Sequence, residues 1–131
     1  METFVRLKIL LKKDDGECLK KLQHLGFDRV WKKGDIRPNT KIIEKADGCI
    51  ISSGEGRDAS LEHHLNSLLL VLQNDISSIK ELSKNNTVEV SCAIYSSEIP
   101  SLYFDQLTIS RIAEFGASLD IDFYLLPTET R

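Results

Sequence analysis

The chain has 131 residues, 41% of them hydrophobic and 28% charged, with a formal net charge of −3. That length makes one domain with a core of its own, and the composition is that of an ordinary globular protein. The acidic balance excludes general nucleic-acid affinity. The charge is uneven: residues 1–47 carry 12 Lys/Arg against 8 Asp/Glu, a balance of +4, and residues 48–131 carry 5 against 12, a balance of −7.

Residues 3–11 alternate. Val5, Leu7, Ile9 and Leu11 point one way and Arg6 and Lys8 the other, which predicts a half-buried strand. The run is too short, and too interrupted by charge, to cross a bilayer. Asp14 with Glu17 three residues on is a capping-box pattern that opens a helix with Cys18, Leu19, Leu22 and Leu25 on its apolar face. Gly26 is placed to stop it. Residues 27–47 have no sustained period and read as a long loop with a hairpin, Ile42 and Ile43 forming a short edge strand. Residues 48–53 are a short apolar run bounded by turn residues, hence a strand.

Residues 58–73 are the longest helical signal. Leu61, Leu65, Leu68, Leu69 and Leu72 share one arc at about 100° per residue, and Asp58 or Ser60 can cap the start. Val71 with His64 falls on one flank, and Leu70 with His63 falls almost opposite the stripe. Ile76, Ile79 and Leu82 suggest a short helix after Asn74 and Asp75. Residues 87–95 alternate again, with Val88, Val90, Cys92 and Ile94 inward. Residues 102–104 read as a short strand. Asp105 caps a helix with Ile109, Ile112, Ala113 and Gly116 on one side. The last strand, residues 119–125, points Leu119, Ile121, Phe123 and Leu125 inward and Asp120, Asp122 and Tyr124 outward.

Strict alternation means each strand buries one side only, so the helices lie together on one face of the sheet. The expectation is a single α+β domain over residues 1–131, a two-layer sandwich with a mostly antiparallel sheet, most simply ferredoxin-like. A faint internal echo agrees with this. Leu22-x-x-Leu25-Gly26-Phe27 and Ile112-x-x-Phe115-Gly116-Ala117 both read as a helix end stopped by glycine. The open sheet face would then show Arg6, Lys8, Glu89, Asp120, Asp122 and Tyr124.

The order of motifs resembles a known family. It runs strand, helix ending Leu25-Gly26, a Lys33-Gly34-Asp35 loop, strand, then a Leu61-Glu62-x-His64-Leu65-x-x-Leu68-Leu69 helix. It closes with Phe115-Gly116-Ala117-x-Leu119-Asp120-Ile121-Asp122-x-Tyr124. This is similar to the uncharacterised bacterial domain of unknown function 4279, over nearly the whole chain. The family pattern leads to a Pro after the first Leu-Gly and a Trp in the strand before the central helix. Here those places hold residues 27–29 and 48–53, and Trp31 lies in the loop. The resemblance implies the fold; the family carries no assigned activity.

Four stretches could carry function. Gly54, Gly56, Arg57 and Asp58 lie between an apolar strand and a helix, where free N–H groups can hold a phosphate. No strand with a terminal acidic residue follows, so a plain loop before an N-cap is the simpler reading. Glu62, His63 and His64 lack the i, i+4 spacing that makes two imidazoles converge on a metal, and read as flank histidines. Asp120 and Asp122 share a strand face with Tyr124, where solvated carboxylates answered by Arg6 and Lys8 on a neighbouring strand are expected. Lys32, Lys33 and Arg37, with Arg29, cluster around Trp31, a combination that can meet phosphates or acidic protein surfaces.

No catalytic constellation, cofactor motif or metal set is visible at any motif spacing. Cys18, Cys49 and Cys92 sit far apart on expected core faces, and with no secretory h-region this points to a reduced cytoplasmic protein. The expectation is therefore a non-enzymatic interaction module, a toxin-masking immunity protein or a self-associating dimer, with no nucleic-acid or membrane partner. Its partner surface would draw on Trp31, Lys32, Lys33, Arg37, His63, Leu70, Val71, Asp120, Asp122 and Tyr124. The alternative is a small-molecule or nucleotide-binding domain using Gly54 to Asp58.

Overall fold

A computed structural model describes residues 1–12 and 16–128, with the side chains of Gly16 and Cys18 left aside. Five strands form one mixed sheet: β1 (Glu2–Leu11), β2 (Arg29–Trp31), β3 (Asp47–Ser52), β4 (Thr87–Ser96) and β5 (Ser118–Leu125). Their order is β2-β3-β1-β4-β5. The first four pair antiparallel; β5 runs parallel to β4. Helices α1 (Gly16–Lys20), α2 (Leu61–Leu72), α3 (Ile76–Ser83) and α4 (Gln106–Glu114) complete the chain. The β-α-β-β-α-β path with β1 between β3 and β4 is the ferredoxin-like arrangement. Helix α4 and β5 extend it by one parallel unit.

The core is one-sided. Val5, Leu7, Ile9 and Leu11 of β1 are buried together with Cys49 and Ile51 of β3, Val88, Val90 and Cys92 of β4, and Leu65, Leu68, Leu69 and Leu72 of α2. The predicted leucine stripe packs on the central strand, with Leu61 half-buried at its start. Ser60 caps α2, its hydroxyl accepting the His63 N–H at 3.1 Å. Cys49 and Cys92 are buried free thiols that behave as small hydrophobes, burial pushing both up to about 12. The capping-box reading at Asp14, and that of Cys18 as a core side chain, fall outside what is described. Gly26 and Gly116, the two stops of the internal echo, both have positive φ, 73° and 69°, which L side chains rarely adopt.

Three expectations change. Residues 102–104 form no strand. On α4, Ile109 and Ala113 are exposed and only Ile112 of the predicted stripe is buried; Phe115, just past the helix, takes the remaining core position. On β5, Leu119 and Ile121 are half-buried but Phe123 and Leu125 are exposed. The reason for both is that this is the rim of the molecule. Helix α4 covers only the first half of an edge strand, so alternation there has no layer to bury against.

The long segment before β3 holds more structure than a loop. Arg29 to Trp31 pair with Ile50 to Gly48. Beyond them, Ile36 bridges Ile43, and the Arg37 N–H donates to the Ile42 carbonyl at 2.8 Å. Asn39 turns the hairpin in the left-handed region at φ 60°.

Replacing Leu68 with Ala should lower stability by about 2–5 kcal/mol, the range for a core leucine, since Leu68 is fully buried. Urea denaturation with an unchanged m value would confirm a packing defect; a loss under about 1 kcal/mol would contradict the one-sided core.

Candidate functional site on the open sheet face

Among the described residues no helix covers the side of the sheet opposite α2. Register fixes its rows: Arg29, Ile50, Lys8, Glu89 and Ser118 form one, and Ser52, Arg6, Ser91 and Asp120 form the next. Basic residues therefore stand on β1 and β2, and acidic ones on β4 and β5. Arg6 and Asp120 have β4 between them, about 10 Å across two strand spacings. Among the described residues no ion pair forms between Arg6 or Lys8 and Asp120 or Asp122. The expected neutralisation across neighbouring strands is absent for this reason. Burial and the nearby Asp120 push the Glu89 carboxyl up, against the pull of Lys8.

The hairpin before β3 folds over the basic half. Glu44 is buried and bonds Arg37 Nε at 2.9 Å and Arg29 at 3.4 Å. The Arg37 hydrogen bond holds its carboxyl below the usual carboxylate range. Arg29 stacks 4.7 Å from the centroid of the Trp31 ring. Beneath, Trp31 lies on Gly48; a Cβ there would come within 2.5 Å of the indole and 2.8 Å of the Ile9 carbonyl oxygen. Between these groups and the strands is a cleft of about 260 Å³ lined by Arg6, Lys8, Trp31, Arg37, Ile50 and Asp122, among others. At the far end of the face Tyr124 stacks on Tyr95 at 4.6 Å, with Phe4 edge-on to Tyr95.

Of the basic cluster expected around Trp31, Arg29 lies on the ring and Arg37 joins Arg29 through Glu44 beside the same cleft. Lys33 instead lines a separate groove with Lys12 and Lys45, and Lys32 and Lys33 use their backbone N–H groups to bond Asp35 and Asp47. Trp31 itself is buried rather than displayed. Leu70 and Val71 are 64% and 43% exposed, the outward pair the helical wheel predicts. Leu70 borders a groove of about 320 Å³ with Ile76, Arg111 and Phe115.

At the start of α2, the residues 54–58 loop is tied down rather than open. The Thr3 N–H donates to the Arg57 carbonyl at 2.8 Å, and the Arg57 guanidinium lies over Phe4 and 3.8 Å from Glu2. Gly54 has φ 80°; Gly56 and Asp58 are exposed in the turn. Glu55 sits at the helix start, accepting from the Ser67 hydroxyl at 2.7 Å and 3.1 Å from His63 Nε2. The Ser67 bond draws its carboxyl below the usual range. Of the N–H groups a phosphate would use, that of His63 is already taken by the Ser60 hydroxyl, and the nearby Glu55 carboxylate would repel an anion there.

His63 is exposed as a flank histidine, but His64 is buried, a correction to the flank reading. The wheel places it beside the stripe, and the residues 53–60 loop closes over it. Its Nδ1 is 2.7 Å from the Ser53 hydroxyl, which also accepts the Glu55 N–H. With Ser53 donating to Nδ1 the ring is neutral and carries its proton on Nε2, which is buried with no hydrogen-bond partner among the described residues. Desolvation holds the imidazole below its usual 6.5.

The fold defines the class, an α+β two-layer sandwich with an open, mixed, ferredoxin-like sheet. The chain belongs to the family described as Domain of unknown function (DUF4279), whose model matches residues 1–126. No curated protein and no solved structure matches it. Among the described residues no helix is long and apolar enough to cross a membrane, and no three His, Cys, Asp or Glu side chains group as metal ligands.

Sequence reasoning missed Glu44 as the clasp between Arg29 and Arg37. The signal was there in Pro38-Asn39, turn residues set between Ile36 and Ile43.

Two outcomes follow from this geometry. Gly48→Ala should cost about 1–3 kcal/mol, as overpacking does, and shift Trp31 emission to the red as the ring lifts; unchanged emission would mean the indole does not rest there. The neutral His64 favours the folded state above the usual pKa of 6.5, and that contribution fades as pH falls below it. Stability should therefore drop from pH 7 towards 5 more steeply in the wild type than in His64→Asn, measured by denaturant midpoints. Equal slopes would refute a buried neutral imidazole.

Proposed function

We propose that this protein is a non-enzymatic interaction module and that its partner, another protein or a second copy, docks on the open sheet face. The observation that carries this is the unneutralised charge there. Arg6 and Lys8 stand without an ion pair among the described residues, across the sheet from Asp120 and Asp122. A face of both signs selects its partner by complementarity and by repelling wrong ones. Its two halves also suit an isologous contact, in which the basic half of one copy meets the acidic half of another. The other residues on it, Arg29, Arg37, Tyr95 and Tyr124, belong to the types enriched at protein interfaces.

Masking a toxin is one use for such a face, and the cytoplasm is the compartment we assign. The buried free thiols Cys49 and Cys92 accord with a reducing environment. The side of α2 that carries Leu70 and Val71 competes as a docking surface; it is apolar but small.

Affinity capture from source-cell lysate with wild-type, Arg6→Glu and Leu70→Glu baits separates these surfaces, with sedimentation following self-association. Retention by the wild type and by Leu70→Glu, with loss in Arg6→Glu, is the expected pattern. Equal retention by all three baits, with an unchanged sedimentation coefficient, would remove the open face from consideration.

A further inference from the structure

We infer that Arg6, Lys8 and the indole N–H of Trp31 form a site for a compact oxyanion, a phosphate or carboxylate group, in the cleft beneath the hairpin. This rests on the open-face reading and names the chemistry that face grips.

The first support is the indole. Trp31 is 5% exposed, and its Nε1 is buried with no hydrogen-bond partner among the described residues. A buried donor left unmet is unfavourable, so an acceptor brought to it regains what folding gave up. The ring borders the cleft that Arg6 and Lys8 also line. The second support is the distribution of carboxylates. Glu44 occupies Arg29 and Arg37, whereas Arg6 and Lys8 have no ion pair among the described residues. Lys8 lies opposite Glu89 on β4, so it is balanced in part; Arg6 lies opposite Ser91 and Ser52, which are neutral. Asp122 stands on the rim of the cleft and repels an anion there, which confines the ligand to the Arg6–Trp31 side.

Size and shape narrow the class. About 260 Å³ suits a small charged group rather than a whole nucleotide. The indole packs against Gly48 and lies under Arg29, and at 5% exposure Trp31 offers little ring for a base to stack on. Glu44, Ser91 and Asp122 also line the cleft, but Glu44 is engaged by Arg29 and Arg37. The three groups of the proposed site, a guanidinium, an ammonium and an N–H, are all donors, as an oxyanion requires.

Trp31 is the chain's one tryptophan, so its fluorescence reports on this cleft alone. Titration of the purified protein with inorganic phosphate, against sodium chloride at matched ionic strength, should give a saturable change with phosphate only. Arg6→Gln and Lys8→Gln should each weaken it about tenfold or more, as loss of a charge-assisted hydrogen bond does, while keeping the wild-type melting curve. Trp31→Phe, followed by calorimetry, keeps a ring but removes the donor and should weaken binding too. Glutarate in place of phosphate tells the sources apart. A tighter phosphate points to a phosphorylated ligand, a tighter glutarate to acidic side chains, and both are oxyanions. No response, an equal response to chloride, or undiminished binding in all three variants overturns the site. Should the site fail while Arg6→Glu still loses its captured protein, the docking face survives without it; a bound phosphate with no change in capture would mean the reverse.

Discussion

Four side chains of β1, Val5, Leu7, Ile9 and Leu11, lie beneath Leu65, Leu68, Leu69 and Leu72 of α2, and the rest of the molecule depends on that contact. It places the longest helix across the middle of the sheet. It also has β1 paired on both edges, with β3 over Arg6–Leu11 and with β4 over Glu2–Leu10. Because side chains alternate along a strand, burying those four residues sends Phe4, Arg6, Lys8 and Leu10 to the other side. The open face follows from the core by geometry alone.

What stands on that face follows from strand order. With β1 central, β2 and β3 to one side and β4 and β5 to the other, the basic first third of the chain and the acidic remainder are laid side by side. A chain-level asymmetry of charge becomes a bipolar surface. The hairpin before β3 then refines one half of it: Glu44 draws Arg29 and Arg37 together, with Arg29 over Trp31, and Arg6 and Lys8 stand at the edge of a cleft. At the opposite end, His64 and Ser53 tie the residues 53–60 loop to α2, so the two ends of β3 are anchored by different means.

Much of this could be read from the chain. The leucine spacing gave α2 its buried stripe, period-two alternation located β1, β4 and the first half of β5, and a short apolar run between turn residues located β3. The paired glycine stops at Gly26 and Gly116 were visible as well. The three-residue β2 was not, since it offers no period, and its pairing with β3 depends on Gly48 leaving room for an indole. The mistaken strand at residues 102–104 and the overcounted apolar faces of α4 and β5 share one cause. Periodicity says which side chains point together, not whether another layer lies there to cover them. His64 shows the converse: its angle on the wheel was right, but its burial was set by a loop arriving from elsewhere in the chain.

The sequence by itself determined the one-sided strands, the leucine helix and the segregation of charge along the chain, because each rests on local spacing and composition. The tertiary structure alone decided which charges meet and which stay apart. Glu44 clasps Arg29 and Arg37 across 15 and 7 residues, while Arg6 and Asp120 remain separated by the width of β4. Pairings of that kind are fixed by strand order and by which side chains hairpin closure brings together; local spacing marks the turn at Pro38-Asn39 but not the partners it unites.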